Sequence, residues 1–216
     1  MINGVRHRIS IAYIGGLYVF SEMGGGYPKN KFNWTVGSNT LSHELGHNLG
    51  VYHANSWECK KKKPAVLYGD ECQHTEYGNI YDIMGNSYGA LHFNAYFKDK
   101  FGWLQNSVVT ITKSGKYRIA PIESSQGIRA AKIQAPGSNE QFYVEYRQPI
   151  GFDSSLNDPA ISSNKDAVKI NWVPVSYSYY QHSRLLDINQ TTYPNDGLDW
   201  LDVVSKPVRS FKDQGR

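Results

Sequence analysis

The sequence predicts an α+β protein in two parts, a partly helical first part and a β-rich second part. Residues 1–104 carry two stretches with helical periodicity, which glycine-rich and polar segments separate. Residues 105–216 carry short β-branched and aromatic runs with turn residues between them at regular intervals. Because this second pattern is typical of a sandwich-like β module, we expect a domain boundary between residues 104 and 105.

The composition is that of an ordinary globular protein. The 216 residues are 40% apolar and 19% charged, with a net charge of +4. No run of 18 apolar residues occurs, so we expect no membrane span. Much of the positive charge lies in the four lysines of residues 60–63, without the aromatic–basic stripe of a nucleic-acid surface. We therefore expect no nucleic acid partner, and a monomer, although composition alone leaves the oligomeric state open.

The chain begins with predicted strands and a loop. Residues 9–20 are rich in β-branched and aromatic side chains, which predicts one or two strands with an interruption at Gly15 and Gly16. Residues 24–28, with three glycines and a proline, predict a loop. The N-terminus shows no basic stretch followed by an apolar one, so no signal peptide is visible.

The next predicted element is a helix that starts near Leu41, with Asn39 or Thr40 as its N-cap. Gly50 is typical of the C-terminal end of a helix, because glycine adopts the left-handed conformation there at little cost. Leucines recur at every fourth position of this helix. They predict one buried apolar stripe, formed by Leu41, Leu45 and Leu49.

The same helix carries the most informative motif of the chain. Residues 43–53, HELGHNLGVYH, fill every fixed position of the pattern H-E-x-x-H-x-x-G-x-x-H. His43 and His47 are four residues apart and share one helix face, and the turn that Gly50 permits can return His53 to the same point. By chance, the five fixed residues would match in roughly one in ten thousand chains of this length.

Three neutral imidazoles with one open position are the ligand set of a catalytic zinc ion. We therefore predict that His43, His47 and His53 bind Zn2+, and that Glu44 acts as a general base toward water. A purely structural zinc site fits less well, since such sites are closed by four protein ligands and have no use for Glu44. Structural or solvated histidines are the remaining alternative.

Two cysteines, Cys59 and Cys72, follow the motif and flank the lysine run. A disulfide between them is the simplest interpretation, and it implies an oxidising compartment, so we expect a secreted or extracellular protein. Closing this loop would stabilise the fold by ~3 kcal/mol in the chain-entropy model. Two free thiols are an alternative, and zinc ligation by these thiols is a weaker one because the histidines already complete a set.

Further elements follow the cysteines. Residues 81–85 predict a tight turn, and residues 90–103 predict a second helix that ends at Gly102. The apolar side of this helix would consist of Leu91, Ala95, Phe97 and Phe101. Strands are predicted at 108–112, 115–120, 130–134, 142–147, 167–178, 185–188 and 200–204, with a loop at 151–165.

The strand predicted over residues 142–147 has a clear alternation. Tyr143, Glu145 and Arg147 alternate with Val144 and Tyr146, which indicates a half-buried strand. Apart from this pattern, residues 105–216 show no obvious cluster of metal ligands, nucleophiles or paired acids. We therefore expect the chemistry to lie in the first part.

The zinc motif and the later turn together resemble the metzincins, a clan of zinc endopeptidases. The resemblance implies that Met84 forms a Met-turn beneath the metal ion, while an ordinary core methionine is the alternative. Other stretches are similar to gametolysin-type members of the clan. They are Tyr77-Gly78-Asn79, Asp82-Ile83-Met84-Gly85, Phe93-Asn94-Ala95, Phe101-Gly102-Trp103-Leu104 and the strand from Tyr143 to Pro149.

Two features depart from the clan pattern. Only 42 residues precede His43, so we expect an N-terminally shortened metzincin-like catalytic part, as in an incomplete gene product or a fragment. Met84 is followed by Gly85 and not by the Met-x-Tyr arrangement of some members. A tyrosine metal ligand, for which Tyr88 is the nearest candidate, is therefore not expected.

The resemblance also implies a function. It predicts a zinc endopeptidase that hydrolyses internal peptide bonds of extracellular or matrix proteins. Its partner would be a protein or peptide substrate, with an extended peptide pairing along residues 17–20 by β-addition. The alternative is an inactive peptidase-derived protein whose β-rich module binds a matrix polymer or glycan.

Overall fold

A computed structural model describes residues 10–21, 34–59, 72–87, 89–159, 166–174 and 182–187. Across these ranges the chain is an α+β protein, and it forms two compact units, Met1–Tyr52 and His53–Arg216. None of the helices in the described ranges is long and apolar enough to cross a membrane. The lysine run, the loop predicted at 24–28, Tyr88 and the strand predicted at 200–204 lie outside the described residues.

The first unit contains a small sheet and a helix. β1 (Ser10–Ala12) and β2 (Val19–Ser21) pair antiparallel, and the turn between them includes Gly15 at a φ of +70°. The two strands and their glycine interruption are therefore confirmed. Helix α1 covers Trp34–Asn48 and starts seven residues before Leu41, which places the expected N-cap residues inside the helix. Glycine, serine and asparagine are weak helix formers, but tertiary context overrides such propensities.

The leucine stripe predicted to be buried is wrong, because Leu45 and Leu49 are 44% and 48% exposed. At ~100° per residue, their face of α1 lies opposite to the face that carries His43 and His47. Glu44 and His47 are the buried side chains of this stretch. The polar face of the helix is therefore the enclosed one, which reverses the usual amphipathic rule.

The second unit contains one mixed sheet of seven strands in the order β4-β3-β9-β8-β7-β6-β5. Two neighbouring pairs, β3 with β9 and β5 with β6, are parallel, and the others are antiparallel. The strands are β3 (Ala54–Cys59), β4 (Cys72–Thr75), β5 (Val108–Ile111), β6 (Ala130–Gln134), β7 (Gln141–Arg147), β8 (Ala167–Val173) and β9 (Ser183–Leu186). Strands from before and after residue 104 thus pair in one sheet.

The seven described strands of the second unit form a single open sheet and not the predicted sandwich. One face carries an apolar cluster of Ala135, Phe142, Trp172 and Leu186. The other face, with Glu145 and Arg147 of β7, is buried and contacts helix α2 and loops. A face with these charges does not suit the apolar packing of a second sheet. The strand predicted at 115–120 is also absent, and residues 115–118 are exposed, so they bury no face.

Helix α2 spans Ala95–Lys100 and is shorter than the predicted helix over 90–103. Asn94 is its N-cap, and the Asn94 side chain accepts a hydrogen bond from the Phe97 N–H at 3.1 Å. Gly102 follows the helix at a φ of +74°, so the predicted stop is confirmed. The loop predicted after residue 150 begins with a 3-10 helix over Gly151–Asn157.

A buried cluster of charges occupies the polar side of the sheet, where the sequence predicted none. The Arg147 guanidinium contacts both carboxylate oxygens of Asp153, with Nε to Oδ2 at 2.7 Å and Nη2 to Oδ1 at 2.9 Å. It also lies 3.3 Å from Oε1 of Glu145 and 3.5 Å from Oε1 of Glu123. Lys169, which is fully buried, stands over the ring of Tyr81 and completes the cluster.

Candidate metal centre

The C-terminal end of α1 explains how the chain turns after His47. The Gly50 N–H donates to the His47 carbonyl at 2.9 Å, and the Val51 N–H donates to the Gly46 carbonyl at 3.3 Å. These two bonds form a Schellman motif, in which Gly50 has a φ of +89°. The predicted role of Gly50 as the helix-ending glycine is therefore confirmed.

The three motif histidines converge after this turn. One ring nitrogen each of His43, His47 and His53 lies within 4.8 Å of the other two, so the three could hold one metal ion. The rings of His43 and His47 meet edge to face with centroids 4.8 Å apart. His47 and His53 are buried, and His43 is partly buried. Among the described residues, this is the only group of three or more histidine, cysteine, aspartate or glutamate side chains close enough to share a metal ion.

Two of the histidines have defined hydrogen bonds at Nδ1 of the ring. Nδ1 of His47 lies 2.9 Å from the Val51 carbonyl, and Nδ1 of His53 lies 2.7 Å from Oε1 of Glu76. A carbonyl or carboxylate can only accept, so each Nδ1 carries the proton and donates it. Nε2 of both rings then presents a lone pair, as metal-binding histidines do.

The general-base candidate, Glu44, is buried on the same helix and is 7% exposed. Its burial raises the pKa of the carboxyl group, and two smaller influences lower that pKa. These are the nearby His47 ring and a hydrogen bond from the Ala12 backbone in β1. The Glu44 carboxyl group is therefore partly shielded from water, and the backbone of β1 contacts it at Ala12.

The predicted disulfide between Cys59 and Cys72 is present. It joins the last residue of β3 to the first residue of β4, and the register pairs these two residues directly. At the other end of the same hairpin, β3 begins one residue after His53, and Glu76 follows β4. The disulfide therefore closes the hairpin that carries the third histidine.

The predicted tight turn at 81–85 is confirmed. The Gly85 N–H donates to the Asp82 carbonyl at 2.9 Å, and the Met84 N–H donates to Oδ1 of Asp82 at 2.7 Å. The second combination is an Asx-turn, in which the aspartate side chain replaces a backbone acceptor. Met84 is fully buried, and its carbonyl accepts from the Ala54 N–H at 2.9 Å, directly after His53.

Only glycine fits at position 85. A Cβ there would collide with the carbonyl oxygens of Asn79 and Ala54, which are backbone atoms and cannot move aside cheaply. The turn therefore approaches the start of β3 more closely than any other residue would allow. This close contact fixes Met84 beside the residue that follows His53.

The sequence missed two residues that contact His53. Glu76 accepts its Nδ1 proton, and the ring of Tyr77 stacks against its ring with centroids 3.7 Å apart. Neither residue belongs to a motif of fixed spacing, because the segment between the cysteines separates them from His53. The sequence singled out Tyr77 only because the stretch Tyr77-Gly78-Asn79 is similar to gametolysin-type proteins.

A scan against protein-family models, a search of curated proteins and a search of solved structures each found no match for this chain. Three imidazoles, two of them with defined outer hydrogen bonds, form a donor set that suits a divalent transition metal. The residues present fit such an ion.

Proposed function

We propose that the protein is a zinc-dependent endopeptidase of the metzincin type. The observation that carries this proposal is the convergence of His43, His47 and His53 next to the buried carboxylate of Glu44. A set of three histidines leaves a position open for water and substrate, which distinguishes catalytic from structural zinc sites. Zinc is proposed because it is the usual ion of such a set.

In this proposal, the three histidines bind the zinc ion, and Glu44 acts first as the general base and then as the general acid. A bound zinc ion supplies Lewis-acid polarisation of the scissile carbonyl and activation of water. Glu44 accepts one proton from the attacking water and returns it to the leaving amine, so the peptide bond is replaced by an acid and an amine. The raised pKa of Glu44 suits a group that both takes and gives a proton.

Two further assignments belong to the proposal. Met84 takes the Met-turn role, supported by its full burial and by its hydrogen bond to Ala54. The substrate is a protein or peptide, and an extended peptide pairs with residues 17–20 by β-addition. The disulfide fits an oxidising compartment, so we propose an extracellular or matrix substrate.

Zinc analysis combined with a casein digestion assay tests the proposal. The wild-type protein is expected to carry about one zinc ion per chain and to digest casein. Glu44→Gln is expected to retain the zinc and to lose digestion, because the amide cannot accept the proton. Glu140→Gln makes the same change at a partly exposed side chain outside the histidine motif and is expected to retain both properties.

Retained digestion by Glu44→Gln would refute the mechanism. Absence of digestion by the zinc-loaded wild-type protein would refute the endopeptidase proposal. That second result would favour the alternative, in which the β-rich part binds a matrix polymer or glycan. Pull-down of the wild-type protein with insoluble matrix polysaccharide then tests that alternative directly.

A further inference from the structure

The outer hydrogen bond of His53 differs in kind from that of His47. Nδ1 of His53 donates to a carboxylate, Oε1 of Glu76, whereas Nδ1 of His47 donates to the neutral Val51 carbonyl. The His53 side chain is 8% exposed and the Glu76 side chain is 49% exposed. A carboxylate acceptor orients a ligating imidazole and increases its basicity at the opposite nitrogen. His53 therefore has a charged hydrogen-bond partner behind its ring.

The ring of Tyr77 packs against the ring of His53, and the backbone of Tyr77 is in a strained conformation. Its ring lies 3.7 Å from that of His53, at an interplanar angle of 32°. Its φ is +60°, a left-handed value that bulky residues rarely adopt. The Tyr77 N–H donates to Oδ1 of Asn55 at 2.9 Å, and the Tyr77 carbonyl accepts from the Asn86 N–H at 2.8 Å. These bonds maintain the strained backbone and hence the ring orientation.

The β3–β4 hairpin delivers Glu76 and Tyr77 to His53. His53 directly precedes β3, and the two partner residues directly follow β4. The register pairs Ser56 with Thr75, so the two ends of the ladder bring the residues together. The pairing of β3 with β4 therefore places Glu76 and Tyr77 next to His53.

We propose that Glu76 is a positioning residue for the metal centre, and that its carboxylate sets the metal affinity of His53. Glu76 fixes the ring tautomer, and Tyr77 restricts rotation of the ring, so that Nε2 is directed to the common point of the three histidines. The inference rests on the proposed function only for the choice of zinc. Outer partners of this kind change metal affinity by about 10–100-fold.

The zinc dissociation constant, measured by competition with a chromophoric chelator, tests this inference. Glu76→Ala is expected to bind zinc about 10–100-fold more weakly than the wild type. Glu76→Gln is expected to fall between the two, because its amide oxygen still accepts from Nδ1 but carries no charge. Glu140→Gln is the matched control and is expected to bind as the wild type does.

Two further measurements separate positioning from structural support. The visible absorption spectrum of the cobalt-substituted protein is expected to change in Glu76→Ala, because the ligand field changes. The melting temperature of the metal-free protein is expected to stay near that of the wild type, because Glu76 is half-exposed. A lower melting temperature with an unchanged zinc dissociation constant would show a structural role and overturn the inference.

The binding measurements do not depend on catalysis. Wild-type zinc affinity in Glu76→Ala would overturn the positioning role and leave the endopeptidase proposal intact. A wild-type protein that binds zinc without digesting casein would overturn the endopeptidase proposal. In that case the effect of Glu76 on the dissociation constant would still decide the positioning role.

Discussion

Asp153→Asn is the substitution that tests the buried charge cluster most sharply. Both oxygens of the Asp153 carboxylate contact the Arg147 guanidinium, and both side chains are fully buried. In the wild type, the His92 N–H donates to Oδ1 of Asp153 at 2.8 Å. The amide oxygen of the variant can still accept this hydrogen bond. The new amide nitrogen would face Nε of Arg147, which places two donors against each other.

The expected loss follows from these contacts. Two opposite charges about 4 Å apart attract by ~4 kcal/mol at an effective dielectric constant of ~20. Breaking one partner of a buried pair typically costs about 3–5 kcal/mol, because the other charge stays buried. Arg147 keeps Glu145 and Glu123 at 3.3 Å and 3.5 Å. These remaining partners place the expected loss near the lower end of the range, at about 3 kcal/mol.

Urea denaturation at neutral pH, followed by tryptophan fluorescence, measures this free energy of unfolding. The control is Asp158→Asn, the same change five positions along the chain at an exposed side chain. The control is expected to lose less than about 0.5 kcal/mol. If Asp153→Asn differed from the wild type by less than about 1 kcal/mol, the pair would not anchor this region and the reasoning would fail.

Two more predictions concern the second unit. Burial, together with a hydrogen bond to Asp153 and the charge of Asp153, raises the pKa of Glu123, so the folded protein retains a proton that the unfolded chain loses. The contribution of Glu123 to the free energy of unfolding of the wild type therefore falls as pH rises above the ordinary glutamate range. Glu123→Gln has no such titration, so its free energy of unfolding relative to that of the wild type is expected to increase from about pH 5 to about pH 8. Denaturation curves at both pH values check this, and a constant difference would contradict it. Replacing Cys59 and Cys72 with serine is expected to lower the free energy of unfolding by about 3 kcal/mol, and wild-type stability in that variant would count against the disulfide as a fold-stabilising link.

The features that the sequence predicted well are those that local geometry determines. His43 and His47 share a face because a helix repeats every 3.6 residues, and Gly50 reverses the chain because only glycine adopts its φ freely. The turn around Met84 follows from an aspartate that caps its own backbone. Each of these features depends on fewer than a dozen neighbouring residues.

The features that the sequence missed depend on contacts between distant segments. Glu76 meets His53 only because the β3–β4 ladder has one particular register. Glu123, Arg147 and Asp153 belong to different segments of the fold. Their spacing in the sequence does not predict that the Arg147 guanidinium contacts both carboxyl groups. The alternation in β7 was visible, but the sequence did not reveal that its charged face would be the buried one.

The contacts of Arg147 also have a consequence for local opening. Its Nη2 donates to the carbonyls of Tyr81 and His92, which lie on either side of Met84 in the chain. One side chain of the central sheet thus holds both ends of a loop. Separation of these two ends from the sheet would break the Arg147 hydrogen bonds, so we expect the ends to open together with the sheet.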